Sequence, residues 1–132
     1  MDARKLAKEL EAYAIGLRRE LHMHPEMPLE EKWTSERIRT ELDALGIEYE
    51  VVGKYNVIAK LVCGDGTGKK LAIRADIDAL PIQEATDVPF KSVNDGFMHA
   101  CGPWQLDFPT TCITGLRQQS LKLSYASILS KA

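Results

Sequence analysis

The run Leu71-Ala72-Ile73-Arg74-Ala75 reads as a strand, and it ends on two acids, Asp76 and Asp78, just before Ala79-Leu80-Pro81. Acids in that position narrow the folds open to the chain. In open α/β sheets, ligands bind beyond the carboxyl ends of the strands. Alternation turns the two carboxylates to the same side, where they repel unless a cation or proton sits between them. An Asp-x-Asp step before proline also forms simple turns, so from these residues alone site and turn are equal readings. Further on comes Gly96-Phe97-Met98-His99-Ala100-Cys101-Gly102. Imidazole and thiolate suit Zn²⁺ and ions of similar softness, and binding ionises a thiol whose free pKa is about 8.5. A lone His-x-Cys pair is thin support, because catalytic zinc takes three protein ligands and leaves a place for water.

Upstream, Leu6, Leu10, Tyr13, Leu17 and Leu21 recur at helical spacing, with Lys5, Lys8, Glu9, Arg18 and Arg19 off the stripe. The spacing predicts one long amphipathic helix that stops near His22-Met23-His24-Pro25, since a residue before proline is pushed out of the α region. His22 and His24 read either as a substrate or metal contact or as a polar turn, and the turn is the plainer reading. Pro28 can open a second helix. Thr34, Ile38, Leu42 and Leu45 form its buried stripe, and Gly46 is a left-handed stop. Glu30, Glu31 and Glu36 suit the helix dipole and read as a solvated face.

Strand signals follow at Ile47 to Val52, Asn56 to Cys63 and Lys70 to Ala75. In the middle one, Val57, Ala59 and Leu61 lie on one side, with Ile58, Lys60 and Val62 on the other. Gly64-Asp65-Gly66-Thr67-Gly68 has hairpin-turn composition; it joins strand to strand and lacks the ending of a phosphate loop. Cys63 reads as a small core residue. Gln83 to Asn94 reads as a polar linker without a further site signal. Two helices followed by strands, with acids closing the third, give an α/β class and the first half of such a domain.

The net charge of −2 offers no electrostatic case for nucleic acid or an anionic membrane. Three cysteines, an odd number, do not make a secreted disulfide framework. The N-terminus leads into an amphipathic helix and not an apolar signal core, and no segment nears the roughly 18 apolar residues of a membrane span. A cytoplasmic, reducing setting is the expectation.

Taken together, these pieces resemble the metal-dependent amidohydrolases of the hippurate hydrolase, N-acyl-amino-acid and indole-acetyl-amino-acid hydrolase group, relatives of aminoacylases and zinc carboxypeptidases. The matching residues are Arg18 to Glu26, Glu30-Glu31, Thr34-Ser35, Leu45-Gly46-Ile47, Ile73 to Glu84 and Met98 to Gly102. The resemblance implies a truncated, zinc-peptidase-like catalytic domain of two N-terminal helices and strands of a mixed sheet. It also implies a divalent metal (Zn, Mn or similar) in a dinuclear centre, and a small N-acyl amino acid whose amide is hydrolysed. Carried over, Cys101 matches a metal ligand. Asp76 and Asp78 match the acids at the strand end, as orienting groups. His99, His22 and His24 fall in the site region.

The family continues Cys-Gly-His-Asp-x-His-Thr, whereas this chain continues Gly102-Pro103-Trp104. Pro103 stands where a ligand histidine belongs, and proline has no side-chain donor for a metal. Either an insertion accompanies a His→Pro change, or the reading frame shifts at codon 103. Residues 103–132 carry only Asp107, Arg117, Lys122 and Lys131 as charges and are rich in hydroxyls, which favours the shift. Two segments result: 1–102, the amidohydrolase part, and 103–132, a divergent tail, frameshifted or disordered, in which 117–132 suggests at most a weak helix. Cys112 has no partner at ligand spacing. The later acids and histidines of the family have no counterpart, so the resemblance implies an inactive form without a complete dinuclear site. The alternative is a non-catalytic module that pairs with itself or a full-length homologue through an exposed sheet edge; a metal-binding fragment using Cys101 with His99 is a third reading.

Overall fold

The computed structural model describes residues 3–62, 71–100 and 126–131. Helix α1 spans Ala3–Met23 and α2 Lys32–Ala44, followed by β1 (Tyr49–Val52), β2 (Asn56–Leu61), β3 (Leu71–Asp76) and β4 (Ala126–Lys131). The sheet order is β1-β2-β4-β3. β1 and β4 both run antiparallel to β2, while β3 and β4 are parallel. The α/β class and the mixed sheet are therefore as the sequence implies.

β4 is the departure. The weak helix suggested over 117–132 is replaced, at Ala126–Lys131, by a strand laddered on both edges, with Ile128 opposite Ala59 on β2 and beside Ile73 on β3. Neither period was clean in this stretch, and strand propensity depends strongly on neighbouring strands. Six residues flanked by two ladders satisfy their backbone groups as strand.

Helix α1 buries Leu17 and Leu21 against Tyr13, Trp33 and Leu45. Ile38 and Leu42 on α2 join Ile47, Val57, Ala59 and Ile77 in the main core. Alternation on β2 is as expected: Val57 and Ala59 are buried and Lys60 is exposed. The Arg37 guanidinium on α2 donates from Nε and one terminal nitrogen to the Glu20 carboxylate on α1, at 2.9 and 3.0 Å.

Helix α2 starts at Lys32, not at Pro28. Leu29 sits at φ 70, a left-handed conformation that cannot propagate a helix. Two N–H groups of the first turn, Trp33 and Thr34, donate instead to the two oxygens of Glu26, at 2.9 and 2.8 Å. At the far end the Gly46 N–H donates to Asp43 O and the Ile47 N–H to Leu42 O, with Gly46 at φ 63. This is the Schellman pattern. Of the three acids read as a solvated face, Glu30 and Glu36 are exposed but Glu31 is buried. Glu31 shares the inward face with Thr34, Ser35 and Ile38, at i+3, i+4 and i+7.

Candidate active-site region

The loop after β3 returns to the strand end through a bridge between Leu80 and Met98, whose N–H and carbonyl groups exchange bonds of 3.0 and 3.1 Å. The loop is also bound to the end of α1. The Val93 N–H donates to Met23 O at 2.9 Å, Asn94 Nδ2 to Pro25 O at 2.8 Å, and the Ala79 N–H to Glu26 O at 2.7 Å. The bridge sets His99 beside the Asp78 segment, and the ties bring both to the last turn of α1.

Asp76 and Asp78 are half-buried, whereas Ala75, Ile77 and Ala79 between and around them are buried. The two acids thus share a side, as the alternation predicts. Asp76 accepts from an Arg74 terminal nitrogen at 2.7 Å. The two histidines diverge: His22, in the last turn of α1, turns to the loop, while His24, just past the helix, lies on the Trp33 ring, centroids 4.2 Å apart. His24 lies at the bend that follows α1. Cys63, Cys101, Pro103 and Cys112 lie outside the described residues.

The residue that sequence reading missed is Glu84, in the supposed polar linker. Its carboxylate is buried and accepts from the Thr86 hydroxyl, from the Ser92 N–H at 2.6 Å and from His22 Nε2 at 3.2 Å. Burial alone pushes this carboxyl up; the hydrogen bonds from Thr86, Ser92 and His22 outweigh it and bring it down to about 2. Glu84 is therefore an anion at neutral pH. Isolated and without periodicity, it carried no signal except its place at the end of the Ile73–Glu84 block.

His22 meets Phe90 edge-on at 6.0 Å and His99 at 6.4 Å between centroids. The Arg19 guanidinium covers Phe90 from 4.8 Å. Burial of the His99 ring, and the neighbouring His22, push its pKa down to about 4, against a hydrogen bond to the Asp78 backbone that raises it. His99 is neutral at pH 7, and its Nε2 is buried without a partner. Among the described residues, no three or more His, Cys, Asp or Glu side chains group closely enough to hold a metal ion.

The chain matches the model of "Peptidase family M20/M25/M40" over residues 72–104. It is 50% identical over 103 residues to the N-acetylcysteine deacetylase of Bacillus subtilis, covering 76% of this chain and 26% of that protein. It is 45% identical over 96 residues to thermostable carboxypeptidase 2 of Saccharolobus solfataricus, covering 72% and 24%. Among solved structures, a B. subtilis protein described as a dinuclear metal binding peptidase from the M20 family superposes with a TM-score of 0.80 at 40% identity, over 93% of this chain and 35% of that one. A putative aminohydrolase of Staphylococcus aureus gives 0.83 at 32% identity, over 98% and 36%. The chain spans about a quarter of the length of the curated relatives it matches. In sequence and in fold the chain belongs to the peptidase family M20/M25/M40, of whose members it spans a part.

Proposed function

We propose that the chain derives from an amidohydrolase acting on the amide bond of N-acyl amino acids, and that these 132 residues alone do not carry out that reaction. The observation that carries this reading is Pro103, which stands where the resembled family has a ligand histidine. The substrate class is supported by relatives named N-acetylcysteine deacetylase and N-acyl-L-amino acid amidohydrolase. In this reading Cys101 is the ligand that remains, Asp76 and Asp78 are the acids at the strand end that orient the site, and residues 103–132 are a divergent segment. Among the described residues, no helix is long and apolar enough to cross a membrane.

The test is incubation of the pure chain with N-acetyl-L-cysteine or N-benzoylglycine and Zn²⁺ or Mn²⁺, reading the free amino group. No release above the protein-free control is expected, and metal-dependent release overturns the reading. One observation favours a second reading, a pairing module: β1 ladders only with β2 among the described residues and exposes Val51 and Val52. Unpaired edges template further strands. Elution that shifts toward a dimer with concentration supports it, and a monomer at every concentration rejects it.

A further inference from the structure

The hydrogen-bond phase of β1 shows which of its backbone groups face β2 and which face away. The Lys60 N–H donates to Glu48 O at 3.0 Å, and in the same register Glu50 stands opposite Ile58 and Val52 opposite Asn56. Bonded and non-bonded pairs alternate along an antiparallel ladder, so Glu48, Glu50 and Val52 turn their N–H and C=O groups to β2. Tyr49 and Val51 turn theirs outward, to the edge of the sheet. Natural edges are blunted by proline, lysine or a bulge. β1 is Tyr-Glu-Val-Val, its register with β2 is unbroken, and Val51 and Val52 are exposed.

We propose that this edge pairs with β1 of a second copy of the chain, antiparallel, across a two-fold axis through Val51. The proposal rests on the pairing reading above and adds to it the partner and the register. Bonded pairs must match outward residues with outward residues, so within the strand the axis can fall on Tyr49, Glu50 or Val51. Centred on Tyr49, Glu48 stands opposite Glu50 of the other copy. Centred on Glu50, the two Glu50 carboxylates meet. Like charges directly opposite destabilise a strand pair. Centred on Val51, Glu50 stands opposite Val52, and the next step of that register brings exposed Glu48 to exposed Lys54 on each side of the axis. Val51 then exchanges both backbone bonds with its copy, while Glu50 keeps its contact with Lys60 on β2, at 3.5 Å. A strand of four residues makes a small contact, so the dimer is weak and concentration-dependent.

The experiment uses the full, untagged chain labelled with ¹⁵N, and reads sedimentation and amide hydrogen exchange over a dilution series. The native chain should move toward a dimer with concentration, and the Tyr49 and Val51 amides should become protected as it does. Val51→Pro should abolish the dimer and keep the fold, because that N–H makes no bond to β2 and an edge strand tolerates proline there. Glu48→Lys should weaken the dimer at least about threefold, and Glu48→Lys combined with Lys54→Glu should restore it. Because a substituted chain can lose its fold, exchange in the native chain stands as the independent measurement. A monomer at every concentration overturns the proposal and the pairing reading together. A dimer whose Tyr49 and Val51 amides stay unprotected overturns the proposal alone and leaves pairing through another surface. Protected amides without rescue by the charge swap overturn the register through Val51.

Discussion

His22 Nε2 lies 3.2 Å from Glu84 Oε1 across 62 residues of chain, joining the last turn of α1 to a loop with no secondary structure. A loop exposes backbone that must be satisfied somewhere. Here the buried carboxylate takes one of those N–H groups, from Ser92, as well as the imidazole. The loop that leads into the His99-Ala100-Cys101 block is thus held from its middle by α1, and not only at its ends.

That arrangement makes stability pH-dependent at the acid end. Glu84 sits at about 2 in the fold against an ordinary 4.5, so the unfolded chain binds the proton first as pH falls. Its contribution is complete above about pH 4.5 and is lost as pH falls toward 2. Urea midpoints measured across that window should decline in the native chain and decline less in Glu84→Gln. Equal slopes count against the assignment.

Glu26 makes a second prediction. Its carboxylate takes two first-turn N–H groups of α2, the role usually held by an adjacent capping side chain. Glu26→Ala should lower stability by about 0.5–2 kcal/mol, with Glu26→Gln intermediate because one oxygen remains an acceptor. Denaturant titration of the three chains checks the order.

How much of this was legible beforehand depended on whether the signal was periodic or a matter of contact. The α1 stripe from Leu10 to Leu21, the α2 stripe, the β2 alternation and the common side of Asp76 and Asp78 are periodic, and they stand in the structure. Glu26 and Glu84 act through hydrogen bonds between segments that no spacing encodes. Glu31 was misplaced for a related reason: its charge suggested solvent, while its phase with Thr34 and Ile38 pointed inward. β4 was hidden because its strand state comes from neighbours on both edges.

Gly46 tests the helix stop. A Cβ there would meet nothing within 4 Å, but φ is +63, so the cost of Gly46→Ala is conformational alone. A destabilisation of about 1–2 kcal/mol is expected, without change in the far-ultraviolet spectrum of the folded chain. A neutral result means that the turn does not need the left-handed residue.

Leu42 and Ile15 separate core from surface on the two helices. Leu42 is fully buried, at 0% exposure, among Ile38, Ile47 and Val57, whereas Ile15 on α1 is 41% exposed. Leu42→Ala removes buried methyl groups and leaves a cavity, which costs about 2–5 kcal/mol. Domains of this size hold only about 5–15 kcal/mol in total, so Leu42→Ala should markedly lower the melting temperature. Ile15→Ala should stay within about 0.5 kcal/mol of the native chain. Should Ile15→Ala prove as costly as Leu42→Ala, the outer face of α1 is covered in solution, and the pairing module becomes the better reading of the chain.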